Sequence, residues 1–299
     1  MVSWARWLML GLLLSQLGIV TGCRNRPSAT TVVGPRIVST DPSATQILVE
    51  IGAGRAIVGV SPWDKPLLPE SMRNLPVVGG YLHLDEELVI RLAPTDLILQ
   101  QAPERISPGI MEMARKNGIH IVNIHINTFH QLYATATELG RISGCSREAA
   151  VKIQMLKKQV AALARSRPQK PVRVVYIIST RPIRVVGADN FMDEEITLAG
   201  GVNVAERCGG GFPAITRETL VQLAPQVLLI SEPGQPIASG GDDPRLASWL
   251  TLPIAAAKSR RIDLITWKRA QMLTLRVGHV IDRLRKLLQS PAAGPGGGP

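Results

Sequence analysis

One stretch of this chain occurs twice. Residues 87–99, Glu-Leu-Val-Ile-Arg-Leu-Ala-Pro-Thr-Asp-Leu-Ile-Leu, are echoed by residues 218–230, Glu-Thr-Leu-Val-Gln-Leu-Ala-Pro-Gln-Val-Leu-Leu-Ile. Each copy reads as a short helix stopped at Leu-Ala-Pro and followed by a buried strand. Proline ends the helix because it has no N–H to donate and its ring crowds the preceding turn. A second echo pairs Ser43–Gly54 with Asn190–Gly201, each a helix closing in a small-residue turn, Gly52-Ala53-Gly54 or Ala199-Gly200-Gly201. A chain with these repeats is expected to fold as two copies of one α/β plan.

The strand-like runs fit that plan. They are Arg36–Ser39, Ala56–Val60, Asp96–Leu99, His120–Ile124, Val172–Ile178, Val227–Ile230 and Ile262–Thr266, separated by helical patterns, which predicts mainly parallel sheets. The expected lobes are residues 36–145 and 171–290. Between them, Ser146–Arg167 reads as one long connecting helix, capped at Ser146, with Glu148 soon after. Ala150, Ile153, Leu156, Val160 and Leu163 recur along it at helical spacing, and Pro168 ends it. Such a helix is about 30 Å long at 1.5 Å per residue.

The first residues read as an address rather than as part of the fold. Residues 1–22 carry one charge, Arg6, before an apolar run from Trp7 to Val20. The run is short for a membrane span of about 20 apolar residues and suits the apolar region of a secretory signal. It ends in Val20-Thr21-Gly22-Cys23, which resembles a bacterial lipobox, with Cys23 as the lipid acceptor. Residues 23–35 then form a lipidated tether, and residues 291–299, all Pro, Ala and Gly, a disordered tail. Stable anchoring needs more than one acyl chain.

The 299 residues are 45% hydrophobic and 19% charged, as in a globular protein. The net charge of +11 falls to +10 without Arg6. The basic residues are scattered and no helix-turn-helix, basic region or zinc motif frames them, so nucleic acid is not an expected partner. An exported basic surface beside anionic lipid accounts for the charge. Three cysteines exclude a disulfide framework. Cys145 and Cys208 fall in different halves and are expected as free or buried thiols. Only eleven residues are aromatic, nine once Trp4 and Trp7 leave with the signal.

The run Arg36-Ile-Val-Ser-Thr-Asp-Pro-Ser-Ala-Thr-Gln-Ile-Leu, Gly52-Ala-Gly and Val58-Gly-Val-Ser resemble the opening of the iron-siderophore/cobalamin substrate-binding proteins of ABC importers. So do Leu75-Pro-Val-Val-Gly-Gly-Tyr, Gly187-Ala-Asp-Asn-Phe-Met-Asp-Glu, Leu198-Ala-Gly-Gly-Val-Asn-Val-Ala and Phe212-Pro-Ala-Ile-Thr-Arg-Glu. The resemblance extends over residues 36–290. It departs at Gln46, often Glu in the family, and at Gln100 or Gln101, where the cobalamin-binding member carries Trp. It implies two Rossmann-like lobes with mainly parallel sheets joined by a single long helix, and a ligand held between them.

The candidate site follows from the strand ends, where ligands lie in open α/β sheets. Trp63, Tyr81, Phe212 and Trp267 each fall there, and by resemblance they match positions that stack on ligand. Flat rings suit a corrinoid, a ferric siderophore or a haem. Tyr81, with His83 beside it, is a candidate iron ligand for haem, although a stacking ring is the plainer role. His125 and His130, five residues apart, make a weaker metal pair, and no metal site is assigned. Arg181, Arg269 and Arg276 are candidates to meet carboxylates or phosphates; Arg276 best matches a recurring family arginine. Asp41-Pro42-Ser43 opens a helix toward the cleft, with Ser43 as a ligand contact.

Glu87 and Glu218 occupy equivalent first turns, after the expected caps Asp85 and Thr216, and a helix dipole alone would explain them. The resemblance implies docking onto arginines of a permease. The expectation is a monomeric, lipid-anchored, exported substrate-binding component, with the permease and its ATPase as partners and no catalysis. Its ligand would be a metal-chelate small molecule, a corrinoid or ferric siderophore, with haem as the alternative and no cofactor of its own. A lipoprotein hydrolase is the competing enzyme class, but no G-x-S-x-G occurs; a scaffold is the third class.

Overall fold

The computed structural model describes residues 34–80, 83–101, 105–237 and 243–290. The expected signal segment 1–22, Cys23, most of the expected tether, Tyr81 and residues 291–299 lie outside the described residues.

The first half runs β1 (Ile37–Ser39), α1 (Pro42–Glu50), β2 (Ile57–Val60), α2 (Glu86–Leu92), β3 (Asp96–Leu99), α3 (Pro108–Asn117), β4 (His120–Asn123) and α4 (Phe129–Ile142). The long helix α5 (Ser146–Arg165) follows. The second half runs β5 (Val172–Thr180), β6 (Ile183–Val185), α6 (Phe191–Leu198), β7 (Gly201–Asn203), α7 (Arg217–Leu223), β8 (Val227–Ser231), α8 (Ala247–Leu250), α9 (Ala255–Lys258), β9 (Ile262–Ile265) and α10 (Val277–Gln289).

The first sheet is parallel, in the order β2-β1-β3-β4. In the second, β7, β8 and β9 extend β5 in parallel as β7-β5-β8-β9, the same order as the first sheet. The added strand is β6, antiparallel on the far end of β5. The internal repeat is therefore a repeat of topology.

The repeat also reaches single hydrogen bonds. In the first lobe Arg36 Nη2 donates to Leu92 O at 2.6 Å and its N–H to Thr95 Oγ1 at 3.1 Å. In the second, Arg173 Nη2 donates to Leu223 O at 2.6 Å and its N–H to Gln226 Oε1 at 3.0 Å. Each arginine fastens the end of the Leu-Ala-Pro helix to the start of the central strand. The carbonyls at that end need such donors, because a helix leaves its last C=O groups without internal partners. The alanines of the two motifs, Ala93 and Ala224, both adopt the left-handed conformation at φ 44°.

The core has three parts. Alternate strand residues face opposite sides of each sheet. Val38, Leu97 and Leu99 pack under α2 and α3, and Val175, Leu228 and Ile230 under α7, α8 and α9. The other faces, with Ile37 and Ile98 in one lobe and Val174 and Leu229 in the other, join α1, α4, α6 and α10 in one apolar cluster that runs through both lobes. Helix α5 is its bridge. Ala149, Ile153, Leu156 and Leu163 are buried and Val160 is partly so, while Ala150 faces solvent: the buried position one turn before Ile153 is Ala149.

Two close approaches hold α5. A Cβ on Gly140 of α4 would lie 2.6 Å from Ala149 Cβ, and one on Gly278 of α10 would lie 2.1 Å from Gln159 Oε1. Arg285 of α10 donates to Leu163 O and to Leu198 O, tying α5 and α6 together.

Three expectations need correction. The helix starts at Ser146, but its N-cap is Cys145 and no side chain caps it. It ends at Arg165. Strands β6 and β7 were not expected. Cys145 and Cys208 are free, as expected.

Candidate functional site

Chain order places a switch point in each sheet. From β1 the chain moves to one side, to β2, and then returns to the other, to β3 and β4; from β5 it moves to β7 and then to β8 and β9. The crevices lie beyond the carboxyl ends of β1 and β3 and of β5 and β8, where open α/β sheets bind ligands. One contact shows that the two sheets present these ends toward each other. Arg269, shortly after β9, donates from Nη2 to Leu67 O at 3.3 Å, in the loop that follows β2. Gln46 of α1 donates to the same carbonyl.

The first lobe contributes buried polar groups at its strand ends. Asp41, 3% exposed, caps α1 by accepting from Ala44 N at 2.7 Å, with Pro42 in the first turn. Thr45 donates to Ser39 Oγ at 2.8 Å, and Ser61 donates from N and Oγ to Asp64 Oδ2 at 2.8 and 2.5 Å. Burial pushes the Asp41 carboxyl up to about 6, against the Ala44 N–H and with help from the Asp64 charge. Burial also raises Asp64, against the Ser61 hydroxyl. Ser43, half-buried, stands in the first turn of α1.

Trp63, 46% exposed, lies across Gly80: a Cβ there would sit 2.1 Å from its Cζ3. Phe212, 39% exposed, lies between Gly211 and Pro213, and its carbonyl accepts from Arg184 at 3.0 Å. These two rings are the large exposed aromatics of the described residues.

Trp267 and Arg276 stand elsewhere. The Trp267 ring lies 4.0 Å from the Arg283 guanidinium of α10 and lines a separate cavity of about 680 Å³ along the edge strand β9. Neither Trp63 nor Phe212 lines it. The cation takes one ring face. Arg276 Nε lies 3.9 Å from Glu50 Oε1, at the C-terminal end of α1. The opposite end of α1 faces the crevice, and Arg276 stands at a lobe-to-lobe contact. His125 Nε2 pairs with Asn127 at 2.8 Å, and His130 is exposed on α4.

The paired glutamates keep their symmetry. Asp85 accepts from Leu88 N at 2.9 Å and Thr216 from Thr219 N at 3.2 Å, which confirms both caps. Glu87 and Glu218 are each the second residue of their helix, and both are exposed. The Thr216 hydroxyl holds Glu218 below the usual carboxylate range.

A model described as periplasmic binding protein matches residues 37–261, across both lobes and α5. The chain belongs to the periplasmic binding protein family. Among relatives of this periplasmic binding protein is an uncharacterized ABC transporter substrate-binding lipoprotein, YvrC, of Bacillus subtilis. It is 25% identical over 203 residues, which are 66% of this chain and 63% of that one. A cobalamin-binding protein of Halobacterium salinarum is 30% identical over 202 residues, 65% of this chain and 53% of that one. The match thus spans less than two thirds of each of these relatives. Among solved structures, the periplasmic heme-binding protein HutB of Vibrio cholerae superposes with a TM-score of 0.75 at 25% identity, covering 86% of this chain and 99% of that one.

Sequence reasoning passed over several groups of this periplasmic binding protein. Asp64 and Glu50 are buried carboxylates with no motif of their own. Arg217 and Arg245 meet Arg181 in one cavity only through the fold.

Proposed function

We propose that this chain is the substrate-binding lipoprotein of an ABC importer, and that it captures a corrinoid or ferric siderophore between its lobes. The observation that carries this reading is the pair of topologically equivalent switch points turned toward each other, with Trp63 on one lobe and Phe212 on the other. Exposed rings on a fixed backbone give a flat chelate large contact area at low entropy cost. Ser43 and Tyr81 belong to the same proposed site. Lobe motion is small, because α5 is packed into both lobes and one apolar cluster crosses between them.

Glu87 and Glu218 are the proposed docking points, one per lobe, for a permease with two equivalent subunits and its ATPase. Cys23 is the proposed lipid acceptor after removal of residues 1–22, leaving a monomer on the outer side of a membrane.

Haem is the second reading, favoured by the likeness to HutB. Tryptophan quenching titrated with cobalamin, ferric siderophores and haem separates the two. A response to none of them overturns the capture reading. Replacing both Glu87 and Glu218 with Ala should reduce uptake to background and leave affinity within about twofold. Uptake that survives removes the docking role. Mass spectrometry of the mature protein should find Cys23 acylated; an unmodified thiol there refutes the anchor.

A further inference from the structure

A cavity of about 450 Å³ opens at the switch point of the second sheet. Ser179 and Thr180 line it from the end of β5, and Ile230 and Glu232 from the end of β8. Arg181, Arg217 and Arg245 enter the same lining. Three guanidiniums gather around one small cavity, and their commitments differ.

Arg245 is spent. It donates to both Asp243 oxygens, at 2.8 and 2.6 Å, and to Pro236 O. Glu232 lies 4.0 Å from it. Among the described residues Arg217 forms no ion pair; its guanidinium is oriented by Ser248 O at 3.1 Å and Ser248 Oγ at 3.3 Å, and stacks 5.1 Å over the buried Trp249 ring. Among the described residues Arg181, at the tip of the β5–β6 hairpin, has no hydrogen bond or ion pair. Among the described residues, two guanidiniums thus remain available against one carboxylate, Glu232, with Ser179 and Thr180 in the same lining. Guanidinium forks match carboxylate geometry and favour it over a neutral group.

We propose that this cavity receives a free carboxylate arm of the captured chelate, with Arg181 and Arg217 as its ligands and Glu232 limiting the affinity. The proposal rests on the capture reading above and narrows it to a chelate that carries carboxylates, either a tetrapyrrole or a ferric polycarboxylate. The cavity is at the small end for a ligand pocket, so it holds an arm while the body of the chelate lies at the strand ends.

Matched probes test it on the full-length protein. Iron protoporphyrin and its dimethyl ester differ only in the two carboxylates. Ferric citrate and a neutral ferric tris-hydroxamate make the comparison for siderophores. The protein should prefer the carboxylate-bearing member of one pair at least tenfold, and the pair that shows it names the source. Arg181→Gln with Arg217→Gln should shrink the preference to within twofold without weakening the neutral member. Because Arg217 also supports Trp249, Arg181→Gln alone should keep the direction of the change. Glu232→Gln should widen the preference at least threefold, which a merely structural arginine cluster would not do. Equal binding of acid and ester, or a preference that survives the arginine changes, overturns the proposal and leaves the capture reading intact. If no chelate binds, the capture reading falls, and citrate alone decides the cavity by calorimetry: binding lost in Arg181→Gln/Arg217→Gln supports it, and no binding overturns it.

Discussion

Gly80 has room for no side chain, because Trp63 covers it. The Gly80→Ala methyl group would push the ring off its platform. The expected result is a shifted tryptophan emission and ligand binding weakened about tenfold, roughly 1.4 kcal/mol, in the quenching titration. An unchanged titration would show that Trp63 does not contact ligand. Asp41 is a second residue whose role depends on burial. Its folded pKa of about 6 lies above the ordinary 3.8, so the folded chain holds the proton more tightly than the unfolded one. Its contribution to stability is therefore complete below about pH 4 and is lost as pH rises through 6, by roughly 2–3 kcal/mol. Asp41→Asn keeps a capping oxygen and does not titrate. Denaturant melts should show it matching the parent below pH 4 and exceeding it at pH 7. A parent that gains the advantage at pH 7 would reverse the sign.

At the scale of elements, the two Leu-Ala-Pro helices end in the same way. Ala93 and Ala224 adopt a left-handed backbone that costs an L-residue roughly 1–2 kcal/mol. Glycine avoids that cost but loses more entropy on folding, so Ala93→Gly and Ala224→Gly should each stabilise by roughly 0.5–1 kcal/mol. Arg36→Ala removes donors from Leu92 O and Ala93 O and should destabilise by roughly 1–2 kcal/mol. Arg173→Ala should match it, since the bonds are equivalent. Unequal losses in chemical denaturation would show that the repeat is one of shape and not of energetics. The helix-stop motif, the caps Asp41, Asp85 and Thr216, and seven of the nine strands of the described residues were legible as local patterns. The arginine clasps were not, because Arg36 lies 56 residues from Leu92.

For the whole molecule, the decisive feature is that the lobes share one apolar cluster and a polar tie. Glu50, at the end of α1, accepts from Leu275 N at 2.9 Å with its side chain 4% exposed. Burial raises its pKa, against Thr274 and Arg276. Glu50→Ala leaves the Leu275 N–H without an acceptor and should cost roughly 1–3 kcal/mol, whereas Glu50→Gln keeps an oxygen and most of the stability. The two lobes should melt together in a single calorimetric transition; two separated transitions would mean that the shared cluster does not couple them.

The sequence by itself determined the plan: two copies of one α/β unit, mainly parallel, with one long helix between them. Those features follow from proline stops, caps and apolar periodicity, which act over a few residues and so are written locally. Only the tertiary structure decided which side chains meet. It turned the ends of the two sheets toward each other and laid Trp63 on Gly80. It set Trp267 under Arg283 and Arg276 beside Glu50. It also gathered Arg181, Arg217 and Arg245 from three separate segments around one cavity. Contacts of that kind depend on packing between distant segments, and no local pattern of residues records it.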